Sequence, residues 1–255
     1  MAVLEINESK KVKAMIFADI HNHALADADD GARSEEMMYQ MVDAAYADGV
    51  RHLCLTPHFH PIFFGDNREA SEESYRKLQA YAAQHCPQLK LYLGNELRYG
   101  PNCDGWMREG FCRTLGDTSL VLVDFPSEAG QRLIIRGLSQ LLSMGYRPIL
   151  AHAERYTNLK VHAVQDLVRN GIQIQINAGA LTGAFGCRVR FRARQLLRHR
   201  LVSLVATDAH DLHRRPPLLS SGYQLTVKYT DKDYADRIFC SNAVDLLENN
   251  REGLV

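Results

Sequence analysis

A chain of 255 residues, 46% of them hydrophobic and 24% charged, can bury a full core and has the balance of an ordinary globular protein, not of a disordered or fibrous one. Thirty Lys and Arg against thirty Asp and Glu leave no net charge, which lacks the electrostatic footprint of a phosphate-backbone binder, so no nucleic-acid partner is expected. No apolar run approaches the ~18 to 20 residues of a bilayer span, the first ten residues lack a signal-peptide pattern, and the six cysteines are scattered without a C-x-x-C pair; the chain reads as cytoplasmic, with no membrane insertion.

Residues 1–13 read as a flexible extension and 14–255 as a single domain. Along that domain, short apolar runs recur, each followed by a polar cluster and then a helical pattern. The first strand is expected over 14–19 and runs into Asp19-Ile20-His21-Asn22-His23, with Asp27, Asp29 and Asp30 close behind. Met37, Met38, Met41, Val42, Ala45 and Tyr46 then form one apolar stripe of a helix over 34–48 that Ser34 can cap and Gly49 can end. A strand over 50–56 leads into Thr56-Pro57-His58-Phe59-His60, and a helix over 71–85 precedes a strand over 89–94 that leads into Gly94-Asn95-Glu96. A strand over 119–124 is followed by a helix over 129–144, and one over 148–151 by His152-Ala153-Glu154-Arg155-Tyr156 and a helix over 161–170. The last two strands, over 172–177 and 202–207, flank a helix over 188–200, and the final one runs into Asp208-Ala209-His210. Seven β-then-α units predict a parallel sheet; with no linker and no glycine-rich phosphate loop after the first strand, a closed (β/α) barrel is expected.

Residues two apart in a strand project to the same side, so His21 and His23 can present both imidazoles to one cation. His58 and His60, Glu96, His152 with Glu154, and Asp208 with His210 add further donors, so five strand ends carry potential ligands at the face where barrel active sites are built. Imidazole and carboxylate without thiolate suit manganese, iron or zinc, and seven to eight ligands exceed what one catalytic zinc needs, so two or three metals are expected. Asp27, Asp29 and His60 read as supporting or solvent-facing groups, His213 as a surface residue, and His52, His85, His162 and His199 as structural. Glu154 reads as a partner for a nearby arginine. The run Arg188, Arg190, Arg192, Arg194, Arg198, Arg200 reads first as a solvated helix face, and functionally as a landing surface for an acidic, tyrosine-rich kinase tail.

The strings D-I-H-N-H, D-A-D-D-G, T-P-H, G-N-E, A-H-A-E-R-Y and T-D-A-H-D-L-H-R-R-P-P, in this order, resemble the polymerase and histidinol phosphatase (PHP) superfamily. Within it the chain is most similar, over residues 16–248, to the bacterial manganese-dependent protein-tyrosine phosphatases encoded with capsule and exopolysaccharide genes. The resemblance implies an α/β fold, a distorted (β/α)7 TIM-like barrel, with three divalent ions held by His21, His23, Asp30, His58, Glu96, His152, Asp208 and His210. It places phosphate on Arg155 and Arg215, and makes a phosphotyrosine protein, the tail of a bacterial tyrosine kinase of polysaccharide export, the expected partner. Water acidified by the metals is the expected nucleophile, and no cysteine lies in the C-x(5)-R arrangement of thiol phosphatases. The mouth is expected between loops 59–65, 98–118 and 210–217, where Phe63, Phe64, Tyr99 and Tyr156 can flank an aromatic phosphoester. The alternatives are a small-molecule phosphatase such as histidinol-phosphate phosphatase, and a non-catalytic regulator that binds phosphotyrosine or a kinase.

Overall fold

The computed structural model describes residues 15–248, so the extension expected over 1–13 lies outside the described residues. Among the described residues nine strands run in chain order: β1 (Phe17–Asn22), β2 (Val50–Leu55), β3 (His58–Phe59), β4 (Lys90–Leu93), β5 (Glu96–Arg98), β6 (Leu120–Asp124), β7 (Arg147–Leu150), β8 (Gln173–Asn177) and β9 (Leu204–Ala206). Every pairing is parallel, in one sheet ordered β1-β2-β4 and another ordered β3-β5-β6-β7-β8-β9. These nine segments fill seven barrel positions, because β3 continues β2 across Thr56-Pro57 and β5 continues β4 across Gly94-Asn95. Proline supplies no N–H to the ladder, and at Gly94 a Cβ would stand 2.5 Å from the Leu115 side chain, so both breaks have a steric or hydrogen-bonding cause. The ring closes where Asn22 of β1 bridges Ala209 beyond β9, with His23 N–H donating to Ala209 O at 2.9 Å and Asp208 N–H to His21 O at 2.8 Å. The expected seven-position, distorted (β/α) barrel is the observed fold.

The first strand differs from its expected span of 14–19. It begins at Phe17, whose N–H is taken by Gly49 O, and continues through His21 to Asn22, so two polar residues beyond the expected end, His21 and Asn22, are in the sheet. An apolar-run reading stops at Asp19; in the structure that carboxylate is fully buried and accepts from Thr207 N–H (3.0 Å), Thr207 Oγ1 (2.5 Å) and Asn22 Nδ2 (3.2 Å), which offset part of its desolvation while burial still pushes the carboxyl up. Ser34 caps the helix Glu35–Ala47 through Met37 N–H as expected.

Side chains alternate along the strands. In β6, Leu120 and Leu122 join Ala18, Ile20, Ile149 and Leu204 in an inner cluster, which Ala243, Leu246 and Leu247 of the C-terminal helix Asn242–Glu248 cover from below. Val121 and Val123 face the outer helices in the larger cluster. The lower barrel is therefore a packed apolar plug, and the polar residues collect at the C-terminal ends of the strands. The loop that carries Asp29 and Asp30 is folded back on β1 by Ala32 N–H donating to His23 O, and a Cβ on Gly31 would stand 2.0 Å from that oxygen. Gly31→Ala is therefore expected to cost ~1 to 3 kcal/mol, the usual range for forced overpacking, read as a lower denaturant midpoint; a wild-type midpoint would contradict this packing.

Candidate metal centre

Three groups of donors converge at the top of the barrel, the atoms of each lying within 4.8 Å of one another: His21, His23, Glu96 and Asp208; His23, Asp30, His58 and His210; and Glu96, Asp124 and His152. Nine residues on six strand positions are involved, and Glu96 joins the first and third groups. In the first, His21 Nε2 lies 3.1 Å from His23 Nε2, 3.2 Å from Glu96 Oε2 and 3.4 Å from Asp208 Oδ1, while His23 Nε2 lies 3.4 and 3.5 Å from the same two oxygens. Ligand atoms ~2.1 Å from a common cation stand ~3.0 to 3.4 Å apart, so the spacing fits a shared ion. In the third, His152 Nε2 meets Glu96 Oε1 at 2.9 Å.

The neighbours of the imidazoles fit the same conclusion. His23 Nδ1 faces Asp29 Oδ2 at 2.6 Å, His21 Nδ1 faces Gln175 Oε1 at 3.3 Å, and His210 Nδ1 faces the Asp208 carbonyl at 3.1 Å. An oxygen acceptor at Nδ1 takes the ring proton and leaves the Nε2 lone pair for the centre, the usual arrangement of ligating histidines. Glu96 Oε2, His58 Nδ1 and His210 Nε2 are buried yet make no aligned hydrogen bond, although His58 Nδ1 and Glu96 Oε2 approach to 2.9 Å. Donor atoms that crowd without bonding are what a shared cation would hold together. The residues present fit divalent metal ions.

Burial disfavours the Glu96 carboxylate, but His21, His58 and the hydrogen bond from His152 outweigh it and hold its carboxyl well below the usual range. Asp208 is likewise buried and held low, by His21, His23 and the two arginines. Its Oδ2 accepts from Arg155 Nη2 at 2.7 Å, Arg215 Nη2 at 2.5 Å and Asn177 Nδ2 at 2.8 Å, which leaves Oδ1 for the first group. Two guanidiniums thus stand one carboxylate away from the donor cluster. Both line a cleft of about 260 Å³ together with Asp30, His58, Asp124 and Ser127. His152 and Asp208 adopt φ of +33° and +53°, left-handed values that non-glycine residues rarely hold and that aim their side chains across the barrel mouth.

Compared with known proteins, residues 17–248 match the family model for capsular polysaccharide synthesis, CpsB/CapC. The chain belongs to the CpsB/CapC family. It is 31% identical over 231 residues to the tyrosine-protein phosphatase CpsB of Streptococcus pneumoniae, covering 88% of this chain and 95% of that protein. It is 29% identical to CpsB of Streptococcus agalactiae serotype III (strain NEM316) over 239 residues, 91% of this chain and 98% of that one. A solved chain from the crystal structures of YwqE from Bacillus subtilis and CpsB from Streptococcus pneumoniae, described as unique metal-dependent tyrosine phosphatases, superposes with a TM-score of 0.82 at 27% identity, covering 91% and 95% of the two chains.

All eight ligand candidates read from the sequence of this CpsB/CapC member lie in the three groups. Asp124 is a ninth candidate donor that sequence reasoning missed: it is a lone acid at the end of β6 with no histidine beside it, and its place at a strand end was the one signal it carried. Asp29, read as supporting or solvent-facing, is fully buried at its side chain and orients His23 while its Oδ2 also accepts from His58 N–H at 2.8 Å. Glu154 makes no ion pair among the described residues; its Oε1 accepts from Asn177 N–H at 3.2 Å, and burial pushes the carboxyl up to about 7.

Tyr156 is a correction. It is 1% exposed, and its hydroxyl donates to Asp124 Oδ1 and accepts from Phe125 N–H, both at 2.9 Å, so it braces a ligand from the cleft wall rather than flanking a ring at the mouth. Tyr99 packs on Gly137 and Phe125 and donates to Gln140, away from the cleft. At the mouth, Phe63 is 72% exposed and Phe64 stacks on His58 with centroids 4.9 Å apart. Of loop 98–118 only Arg98 lines the cleft, paired with Asp124. The arginine run is no uniform solvated face either: Arg192 is buried and donates to Leu159 O and Gln195 Oε1, because its stem crosses the apolar side of the helix Cys187–Arg198.

Asp29→Ala should weaken metal binding ~10- to 100-fold, the usual loss when the acceptor behind a ligating histidine is removed. Titration of metal-stripped protein checks this; unchanged affinity would show that the carboxylate does not orient His23.

Proposed function

We propose that this chain is a metal-dependent protein-tyrosine phosphatase of the cytoplasm that uses manganese and acts on the tail of a bacterial tyrosine kinase of polysaccharide export. The observation that carries the reading is the juxtaposition of the donor groups with Arg155 and Arg215 across Asp208 Oδ2. His21, His23, Glu96 and Asp208 would hold one ion, Asp30, His58 and His210 with His23 a second, and Asp124 and His152 with Glu96 a third. Oxygen and nitrogen donors without thiolate suit manganese, with iron and zinc as the nearest alternatives. Bound divalent ions supply Lewis acidity and water acidified enough to attack phosphorus at neutral pH.

The residues of the chain divide the remaining work. Arg155 and Arg215 offer planar, permanently charged forks to the non-bridging phosphoryl oxygens, where charge accumulates in transfer. Their present contact, Asp208 Oδ2, is the anion a phosphate would stand beside, and Asn177 keeps that carboxylate aimed when the guanidiniums turn to substrate. A tyrosine leaving group has a reference pKa of ~10 and departs with less protonation than an alkoxide. No thiol takes part: none of the six cysteines lines the cleft, and Cys54 is fully buried with its thiol pushed well up. No helix among the described residues is long and apolar enough to cross a membrane.

Chelation is expected to abolish turnover and manganese to restore it, while Cys54→Ser retains activity; a rate that survives exhaustive metal removal overturns the reading. Arg215→Ala should keep its metals and lose ~2 to 4 kcal/mol of transition-state stabilisation in kcat/KM, the scale of one deleted oxyanion donor. Metal content measured beside the rate separates the two roles. A phosphotyrosine peptide should be preferred to a phosphoserine peptide and to histidinol phosphate; preference for histidinol phosphate moves the protein to the small-molecule class.

A further inference from the structure

The catalytic cleft does not end at Arg215. On the other side of that residue a second hollow of about 370 Å³ opens, lined by Ala184, Phe185, Asp211, Arg214 and Arg215. Its apolar wall, Phe185, stands with its ring centroid 5.6 Å from the Arg155 guanidinium, so one phosphate-facing arginine, Arg215, lines the hollow and the other packs against its wall. Asp211 Oδ1 accepts from the N–H groups of His213 at 2.6 Å, Arg214 at 2.5 Å and Arg215 at 3.3 Å, which commits that carboxylate to closing the turn. The turn leaves the Arg214 side chain exposed. Past Phe185, the Arg190 guanidinium packs over Gly183, where a Cβ would stand 3.1 Å from its Nη1. Neither Arg190 nor Arg214 forms an ion pair with any described acid, in contrast to Arg200, which meets Asp231. Arg190 also borders the next hollow, where Phe191 is exposed beside Arg194 and Arg198.

We propose that this hollow is a subsite for an acidic side chain next to the phosphotyrosine of a polypeptide substrate, with two specificity residues, Arg214 in its wall and Arg190 outside its edge, over Gly183 beside Ala184. The proposal rests on the phosphotyrosine reading above. Continuity through Arg215 places the subsite beside any phosphate held in the cleft, and successive residues of an extended peptide advance only ~3.3 Å, so a close neighbour of the phosphotyrosine reaches it. Arg190 and Arg214, without acid partners among the described residues, outnumber the one carboxylate of the hollow, Asp211, so the balance favours negative charge, and the Phe185 face accepts the methylene stem of a glutamate. A small phosphoester has no group to place there.

The test compares kcat/KM for p-nitrophenyl phosphate and three phosphotyrosine peptides that differ in flanking Glu, Gln or Lys. The Glu-flanked peptide should exceed the Gln-flanked one by about threefold to tenfold at low salt, mostly through KM, and the margin should shrink at high salt as the charges are screened. Arg214→Ala and Arg190→Ala should each remove part of that margin and leave p-nitrophenyl phosphate turnover unchanged. Arg214→Glu should invert the order in favour of the Lys-flanked peptide, an outcome that misfolding cannot produce. Equal turnover of the three peptides by the wild type, or variants that lose p-nitrophenyl phosphate activity in step, overturns the subsite alone. Absence of turnover on every peptide while histidinol phosphate is hydrolysed overturns the phosphotyrosine reading and the subsite with it.

Discussion

A carboxylate taken wholly out of water must be compensated, and Glu96 is fully buried with its two oxygens divided among four imidazoles. Much of the upper barrel is organised around that requirement. The break between β4 and β5 sets Glu96 at the start of the second segment, and Asn95 fixes the break by donating to Pro57 O at 3.1 Å and accepting from Arg113 N–H at 2.8 Å. Imidazoles alone cannot satisfy the cluster, because His21, His23 and His210 turn Nδ1 to oxygens outside it, and the carboxylates Asp30, Asp124 and Asp208 add further negative charge. Divalent cations answer both needs at once, which is why a donor set of this kind reads as a metal centre and not as a hydrogen-bond network.

The same barrel separates stability from chemistry along its axis. Below, alternating Leu, Ile and Ala side chains fill the interior and the C-terminal helix covers them. Above, the left-handed conformations of His152 and Asp208 hold strain of the order of ~1 to 3 kcal/mol each, sustained by the packed lower half. Strand β8 contributes no ligand, yet Gln175 Oε1 accepts from His152 N–H at 2.7 Å and faces His21 Nδ1, and Asn177 steers Asp208. Orientation of ligands is therefore spread over strands that carry none, as expected where precise geometry has to be held by neighbours.

Family membership and fold agree with the chemistry read from the site, but they do not decide what surrounds it. The hollow beyond Arg215 is built from Ala184, Phe185, Asp211 and Arg214, residues outside the donor cluster, and these are the positions where members of one family can diverge in the polypeptides they accept.

The sequence by itself determined the barrel class and the number of strand positions, and strand ends that pair histidine with acid marked where donors gather, because they stand out against apolar runs whose period is local; the particular set of eight, Asp30 among them, came from the family resemblance of the motifs. Only the tertiary structure decided that Asp124 joins Glu96 and His152, that Asp29 serves His23, that Tyr156 is a buried brace, and that Arg192 is withdrawn from the basic run. The physical reason is range: periodicity and motif spacing act between residues a few positions apart, whereas the partner of a buried polar group is chosen by whichever strand the closed ring brings beside it, 28 to 56 positions away for the neighbours that Glu96 finds in Asp124 and His152.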